Sequence, residues 1–279
     1  MDGCGCGYSF IHWVQSWQNP VLDWLFTAFS AMGMKEFYLL AIPLIYWCVN
    51  KSLGARLCFL FLFGILLNTW VKHFYSRPRP DPSRVRVLFK QSGTGPAYPS
   101  GHAQGSFAFW GYCAVQARTA WFSLFCAVFV FLMCVSRLYL GLHFPIDLLG
   151  GLLSGLGSLL FFLVLLLLYE KIKKYISWPA WLVVIVLTLA TFVVLFPEKR
   201  FASILGIYLG FFAGVVLEKR FVGFKANGTF AEQVKKVILG LAVGAFLISF
   251  EAPLFISYGL ASAWVGFGAP WCFKKMGWA

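Results

Sequence analysis

From Leu148 to Tyr169 the chain carries no charged residue, within the run HFPIDLLGGLLSGLGSLLFFLVLLLLYEK that begins at His143. A stretch longer than the ~20 apolar residues needed to cross a bilayer leaves few folds open. In hydrocarbon every backbone N–H and C=O must find a partner inside the protein, so a spanning segment is a helix or a strand of a closed barrel. Strand alternation is absent, which removes the barrel. A second clean run, SWPAWLVVIVLTLATFVVLF, and several shorter ones repeat the pattern. With 60% hydrophobic and 12% charged residues and a mean hydropathy of +0.78, the 279 residues do not have the make-up of a soluble domain.

The chain is therefore read as an all-α, polytopic membrane helical bundle of about nine transmembrane helices, with ten as the alternative. They are expected near 36–50, 53–74, 103–117, 119–141, 144–169, 178–196, 201–217, 233–250 and 253–272. Residues 8–33 fit two short interfacial helices better than one span, because FIHWVQSW is apolar on one side and PVLDWLFTAFSAMG is short and carries Asp23. This gives an interfacial segment over 1–35, a five-span catalytic core over 36–170 and a four-span region over 171–279 to which the sequence assigns no chemistry. The eight cysteines are scattered and show neither a disulfide framework nor a four-ligand metal spacing. The net charge of +13 sits in no recognisable nucleic-acid module, so no nucleic-acid partner is expected.

Charge along the chain sets the orientation. The N-terminal segment has no Lys or Arg before Lys35 and is placed outside. Nine spans then leave thirteen cations inside and ten outside, a weak bias, but seven of those ten lie between Lys72 and Arg137. Without the seven the bias is clear, so they are expected on the external face for a functional reason. Arg84, Arg86 and Lys90 among them are read as facing an anionic headgroup.

Three polar clusters interrupt the apolar background: Lys72-His-Phe-Tyr-Ser-Arg77-Pro-Arg79-Pro80, then Pro99-Ser100-Gly101-His102, then Ser136-Arg137 followed by His143 and Asp147. Alternating span directions bring all three to one membrane face. His143 and Asp147, at i and i+4, share a helix face, and an aspartate there fixes the imidazole tautomer and stabilises positive charge on it. His143 thus suits attack on an electrophile, and His102, from another helix, suits protonation of a leaving group. Lys72, Arg79 and Arg137 are costly at a membrane face unless matched by negative charge. With the N–H groups of Ser100 and Gly101 they would neutralise a phosphate and its transition state. The chemistry is phosphoryl transfer to histidine and then to water, and nothing in the set resembles a magnesium cage.

The pattern Lys72-x6-Arg79-Pro80, Pro99-Ser100-Gly101-His102, Ser136-Arg137-x5-His143-x3-Asp147 resembles the tripartite signature of the type 2 phosphatidic acid phosphatase superfamily. The resemblance covers about residues 36–165. It implies that His143 is the nucleophile, Asp147 its partner and His102 the proton donor. It also implies that Lys72, Arg79, Ser100, Gly101 and Arg137 bind phosphate, and that no metal or other cofactor is needed. Arg77-Pro78 duplicates Arg79-Pro80, and only the spacing from Lys72 favours Arg79. GMKEFYLLAIPLIYWCVNKSLG is similar to the corresponding segment of sphingosine-phosphate and related bacterial lipid phosphatases, and the overall plan resembles glucose-6-phosphatase.

The expectation is an integral-membrane enzyme, with its site on the external face of a bacterial plasma membrane, that hydrolyses a lipid phosphate or isoprenyl diphosphate. Undecaprenyl diphosphate, phosphatidate, phosphatidylglycerophosphate and sphingoid phosphates all fit. A sugar-phosphate phosphatase or phosphotransferase is the alternative within enzymes. A lipid transporter or scramblase is the alternative outside them, although it would not need two opposed histidines.

Overall fold

The computed structural model describes residues 6–195 and 201–278, and these are helical with no strand among them. Twelve helices follow in order: α1 Cys6–Gln15, α2 Pro20–Ala31, α3 Lys35–Leu44, α4 Lys51–Tyr75, α5 Gly101–Ala117, α6 Ala120–Tyr139, α7 Pro145–Ile172, α8 Trp178–Leu195, α9 Ala202–Leu217, α10 Phe230–Ser249, α11 Leu254–Ala263 and α12 Ala269–Lys275. Single π-turns extend α3, α9 and α11. Lys199 and Arg200, counted above on the external side, lie outside the described residues, as does Cys4.

Local chemistry sets these boundaries. Asn19 caps α2 by accepting from the Leu22 N–H at 3.0 Å, with Pro20 at the first helical position. Ser100 caps α5, and Arg118 ends it in the left-handed region. Thr229 and Glu232 form a reciprocal capping box on α10, so the threonine of Asn227-Gly-Thr229 serves the helix start.

Among the described residues, four segments are long and apolar enough to cross a membrane: α4, α6, α7 and Ala202–Val222. The pair α2 and Lys35–Val49, bent by 61°, makes a fifth if it counts as one broken span. Of the other expected spans, α5 has 17 residues, α8 counts as a shorter apolar helix over Trp178–Thr188 among the described residues, α3 and α11 run on through π-turns, and α10 carries Glu232, Lys235 and Lys236. Length and composition thus establish an all-helical membrane protein, and the clear spans among the described residues do not reach the nine expected. The N-terminal stretch does form two short helices, α1 and α2.

The residues group into two compact units: one runs up to Leu39 and resumes over Phe63–Leu165, and the other takes Leu40–Leu62 and the chain from Leu166 onward. In the first unit the core joins α1, α2, α6 and the loop before α5 through Ile11, Phe26, Val85, Leu138, Tyr139 and Leu140, all buried. There α7 packs directly on α5, because Gly151 and Gly155 remove the side chains that would separate them. A Cβ on Gly151 would stand 2.5 Å from the Ser100 carbonyl oxygen, and one on Gly155 would stand 2.9 Å from that of Gln104. A polar chain crosses the same region: Gln104 Nε2 donates to the Gly64 carbonyl at 3.0 Å, while Asn68 Nδ2 donates to Gln104 Oε1 at 2.8 Å and to the Pro99 carbonyl at 3.2 Å. That chain pins the start of α5 to α4.

In the second unit α9 packs on α11 across another glycine stripe, where a Cβ at Gly206 or Gly210 would run into the backbone of α11. Trp47 Nε1 donates to the Val265 carbonyl at 2.9 Å and Tyr46 Oη to that of Gly266 at 3.2 Å. Buried Glu218 accepts from Lys51 Nζ at 3.1 and 3.2 Å and from the Phe224 N–H at 2.7 Å.

Candidate active site

The close packing of α7 on α5 determines the site, because it brings the start of α7 against the cap of α5. The Ser100 N–H donates to the Asp147 carbonyl at 2.9 Å, and Ser100 Oγ accepts from the Ala103 N–H at 3.5 Å. The backbone N–H of Ser100 is therefore already committed, which corrects the expectation that it is available to an anion. What Ser100 can offer is its hydroxyl proton. The Gly101 N–H, at the first position of α5, has no acceptor within the helix.

His143 lies in the loop before α7, buried to 1% exposure, with Asp147 at 0%. His143 Nδ1 stands 3.6 Å from Asp147 Oδ2, an ion-pair distance slightly beyond a hydrogen bond. The carboxylate is oriented by the Phe144 N–H, which donates to Oδ2 at 2.8 Å as α7 begins. Asp147 Oδ1 faces Arg77 Nη1 at 3.6 Å, and the Arg77 guanidinium lies 5.4 Å from the centre of the Phe144 ring. On the opposite edge of the imidazole, Arg79 Nη1 is 3.1 Å from His143 Nε2. The duplicated Arg-Pro therefore divides its work: Arg79 meets the imidazole and Arg77 meets the aspartate.

The cations are hydrogen-bonded chiefly to one loop. Arg79 donates through Nε to the Gly95 carbonyl at 2.9 Å, through Nη2 to that of Thr94 at 3.1 Å and through Nη1 to that of Leu142 at 2.7 Å. Lys72 Nζ donates to the Pro96 carbonyl. Arg137, fully buried, donates through Nη2 to the Ser92 carbonyl at 2.9 Å, and through Nη1 to the Ser92 hydroxyl at 2.9 Å and to the Ser30 hydroxyl. Its Nε is buried without a hydrogen-bond partner, and so is His102 Nε2. Burial, with the charges of Arg137, Arg79 and Lys72 next, holds the His143 imidazole well below the usual histidine pKa. His143 is thus kept neutral, and a neutral imidazole is the form with a lone pair to give.

All eight residues singled out in the sequence gather in the first unit: Lys72, Arg79, Ser100, Gly101, His102, Arg137, His143 and Asp147. The structure adds others. The carbonyls of 92–96 and the hydroxyls of Ser30 and Ser92 hold the cations, and Asn68 and Gln104 hold the α5 cap. Asn68 and Gln104, polar residues inside apolar spans, carried a readable signal. Backbone carbonyls carry none. Arg84 and Arg86, read as facing a headgroup, are engaged within the protein instead. Arg84 lies 3.7 Å from the Tyr8 ring centre, and Arg86 forms a two-pronged pair with Asp23.

Comparison with known proteins places this geometry. The PAP2 superfamily profile matches residues 53–167, and a second profile, the transmembrane extension of PAP2 superfamily phosphatases, matches 202–279, where the sequence offered no chemistry. The chain is 31% identical over 175 residues to phosphatidylglycerophosphatase B of Bacillus subtilis, covering 58% of this chain and 80% of that protein. It is 30% identical over 161 residues to a probable sphingosine-1-phosphate phosphatase of Dictyostelium discoideum, covering 53% of this chain and 39% of that one. It spans less than half the length of that and similar curated relatives. The crystal structure of Aquifex aeolicus LpxE shares the fold, with a TM-score of 0.53 at 22% identity over 58% of this chain and 98% of that chain. The complete tripartite motif, gathered by α4 to α7 around His143, and the match over four fifths of the Bacillus protein lead to one assignment: the chain belongs to the PAP2 superfamily.

Proposed function

We propose that the chain is a membrane phosphatase that removes phosphate from a lipid phosphate or isoprenyl diphosphate through a phosphohistidine intermediate. One observation carries the reading: Lys72, Arg79 and Arg137 surround a buried neutral imidazole and are held by neutral carbonyls and hydroxyls. Cations desolvated in this way await an anion, and phosphate oxygens can replace the carbonyls one for one. The expected five-span core over 36–170 and the nine-span plan belong to the same reading.

In the proposed reaction a phosphate draws Arg79 away from His143 Nε2, and that lone pair attacks phosphorus. The bond to the leaving oxygen breaks, and His102, which takes up a proton once the bound phosphate offsets the field of the three cations, gives that proton to the leaving oxygen. Asp147 stabilises the charge that develops on His143 through Nδ1. Water then attacks the phosphohistidine, the P–N bond breaks, and His102 takes the water's proton. Both histidines return to their starting states, and charge is neutralised by side chains and N–H groups with no call on a metal.

A lipid substrate is favoured by what surrounds the site. Trp70, Phe74 and Tyr75 are exposed on the last turns of α4, on either side of Lys72, and Trp13 of α1, Trp17 of the turn that follows and Trp24 of α2 are exposed as well. Aromatic residues of this kind gather where a bilayer meets water, at the depth of headgroups. The expected face is external, in a bacterial plasma membrane. Ser83→Cys, in an exposed stretch of the site loop, should react with a membrane-impermeant thiol reagent on intact cells with native thiols removed; labelling only after lysis would place the site inside.

The test of function is phosphate release by purified protein from phosphatidate, phosphatidylglycerophosphate, a sphingoid phosphate, undecaprenyl diphosphate and a soluble sugar phosphate, with and without EDTA. Release from at least one lipid, insensitive to chelator and lost by more than ~100-fold in His143→Ala, is expected. Release from the sugar phosphate alone, or activity that disappears with EDTA and returns with magnesium, would overturn the reading.

A further inference from the structure

The bend between α2 and α3 reaches the site from a segment that lies before the superfamily match begins at residue 53. Gly33, at this bend, is in such close contact that a Cβ there would strike His102 Cδ2 and stand 2.8 Å from Met133 Sδ. Ser30, fully buried in the last turn of α2, accepts from Arg137 Nη1. We infer that Ser30 is a positioning residue of the phosphate site, a clamp that aims Arg137 by holding one prong of its guanidinium from the N-terminal helices.

The hydrogen-bond directions support a clamp. A hydroxyl has one proton and two lone pairs. The Ser30 hydroxyl proton goes to Ser92 Oγ at 3.3 Å, and the Ser92 proton goes to the Phe89 carbonyl at 2.8 Å. With both protons committed down this relay, the lone pairs of both hydroxyls are left to the guanidinium. Nη1 is then held by two hydroxyls and Nη2 by the Ser92 carbonyl, while Nε stays buried without a partner. The fork of an arginine is planar and rigid, so fixing two corners fixes the third. Three of the five N–H donors are engaged, and the Nε–H and the second Nη2–H are left for a bound phosphate.

The N-terminal helices are themselves fastened at this spot. Asp23 of α2 takes both prongs of Arg86 and the Tyr139 hydroxyl at 2.6 Å, and Gln15 of α1 donates to the Arg86 and Tyr139 carbonyls at 2.6 and 2.9 Å. Tyr139 lies two residues beyond Arg137, so the latch and the clamp act on the same turn of α6. A helix pair tied this firmly to the arginine's own turn can hold its side chain without a motif in the catalytic core.

The inference rests on the proposed phosphate site, and a double-variant cycle separates the two. The probe is inorganic phosphate, measured as competitive inhibition and as direct thermal protection of detergent-purified full-length protein. Ser30→Ala should weaken phosphate at least fivefold, and Ser30→Cys, which keeps the volume but accepts poorly, should weaken it in the same direction and serves if Ser30→Ala fails to fold. In an Arg137→Lys background, where no fork remains to be aimed, either Ser30 change should cost less than twofold. Wild-type protein that neither binds phosphate nor hydrolyses any substrate would sink the phosphate site itself. Binding by wild type with Ser30 variants within twofold of it, or equal losses in both backgrounds, would overturn the clamp alone.

Discussion

Two charge clusters, each built on a fully buried ionisable group and one in each compact unit, solve the same problem in opposite ways. In the second unit Glu218 is matched by Lys51 and by the Phe224 N–H, so the charge is cancelled within the protein. In the first unit Lys72, Arg79 and Arg137 rest on carbonyls and hydroxyls, and the nearby buried carboxylate, Asp147, is shared with Arg77 and His143. A closed pair holds structure together. Cations placed on neutral dipoles keep a net field, which is an expense to the fold and an attraction to an anion.

The widest break in this contrast is expected from removing one cation on each side. Arg79→Ala should lower kcat/KM by about 10²–10³, the scale of a lost transition-state donor, with little loss of thermal stability because an unmatched charge leaves with it. Lys51→Ala should do the reverse, leaving Glu218 buried without its partner at a cost of about 3–5 kcal/mol while turnover per folded molecule stays within twofold. Parallel turnover and thermal-unfolding measurements in one detergent check this. The contrast is lost if both variants lose stability and activity together.

The histidines are distinguished next by leaving group. His102→Ala should lose at least about tenfold more activity, or 1.4 kcal/mol, on an alkyl phosphate than on an aryl phosphate, whose leaving oxygen needs little protonation. His143→Ala should be equally inactive on both. Equal defects in His102→Ala, with the first step shown to be rate-limiting, would make His102 a phosphate ligand and nothing more.

Much of this molecule was legible in its sequence, and the division follows a physical line. Helix positions came through because apolar length is written in side chains, while the caps Asn19, Ser100 and Thr229 show themselves only in the folded helix ends. The three polar clusters were visible because charge is rare in this chain. The acceptors of those charges were not, because the carbonyls of 92–96 have no residue identity. Ser30 and Gly33 were equally silent, since a lone serine and glycine at a helix end suggest only a turn. The commitment of the Ser100 N–H to the Asp147 carbonyl depends on how close Gly151 brings two helices, a distance no spacing rule supplies. The role of Arg77 against that of Arg79 was open for the same reason, since both precede proline and only tertiary contact tells them apart.

That distinction gives a smaller effect. The Arg77 guanidinium faces Asp147, whereas that of Arg79 bonds the Thr94 and Gly95 carbonyls, so Arg77→Ala should reduce kcat about fivefold through a less well held carboxylate, a loss of roughly 1 kcal/mol. Inhibition by inorganic phosphate should stay within twofold. Arg79→Ala should instead weaken phosphate at least tenfold. A common pattern for the two arginines would mean that they share one phosphate and that the division seen here has no functional counterpart.

The finest test is in pH. The neutral His143 imidazole is the attacking form, and its pKa is held well below ~6.5 by burial first and then by Arg137, Arg79 and Lys72. Activity that depends on this lone pair should therefore persist on the acid side and fall only as pH drops through the depressed value. Arg79→Gln removes one of the cations that oppose protonation, so the pKa rises and the acid limb of kcat/KM moves up towards 6.5, by about half to one unit for a single screened charge. Lys51→Gln, whose charge is spent on Glu218, should leave the limb in place. The profiles are best taken on an aryl phosphate, where leaving-group protonation does not enter, and as ratios to wild type, so that substrate ionisation cancels. A limb that moves down in Arg79→Gln, or moves equally in Lys51→Gln, would show that the field of the three cations does not act on His143.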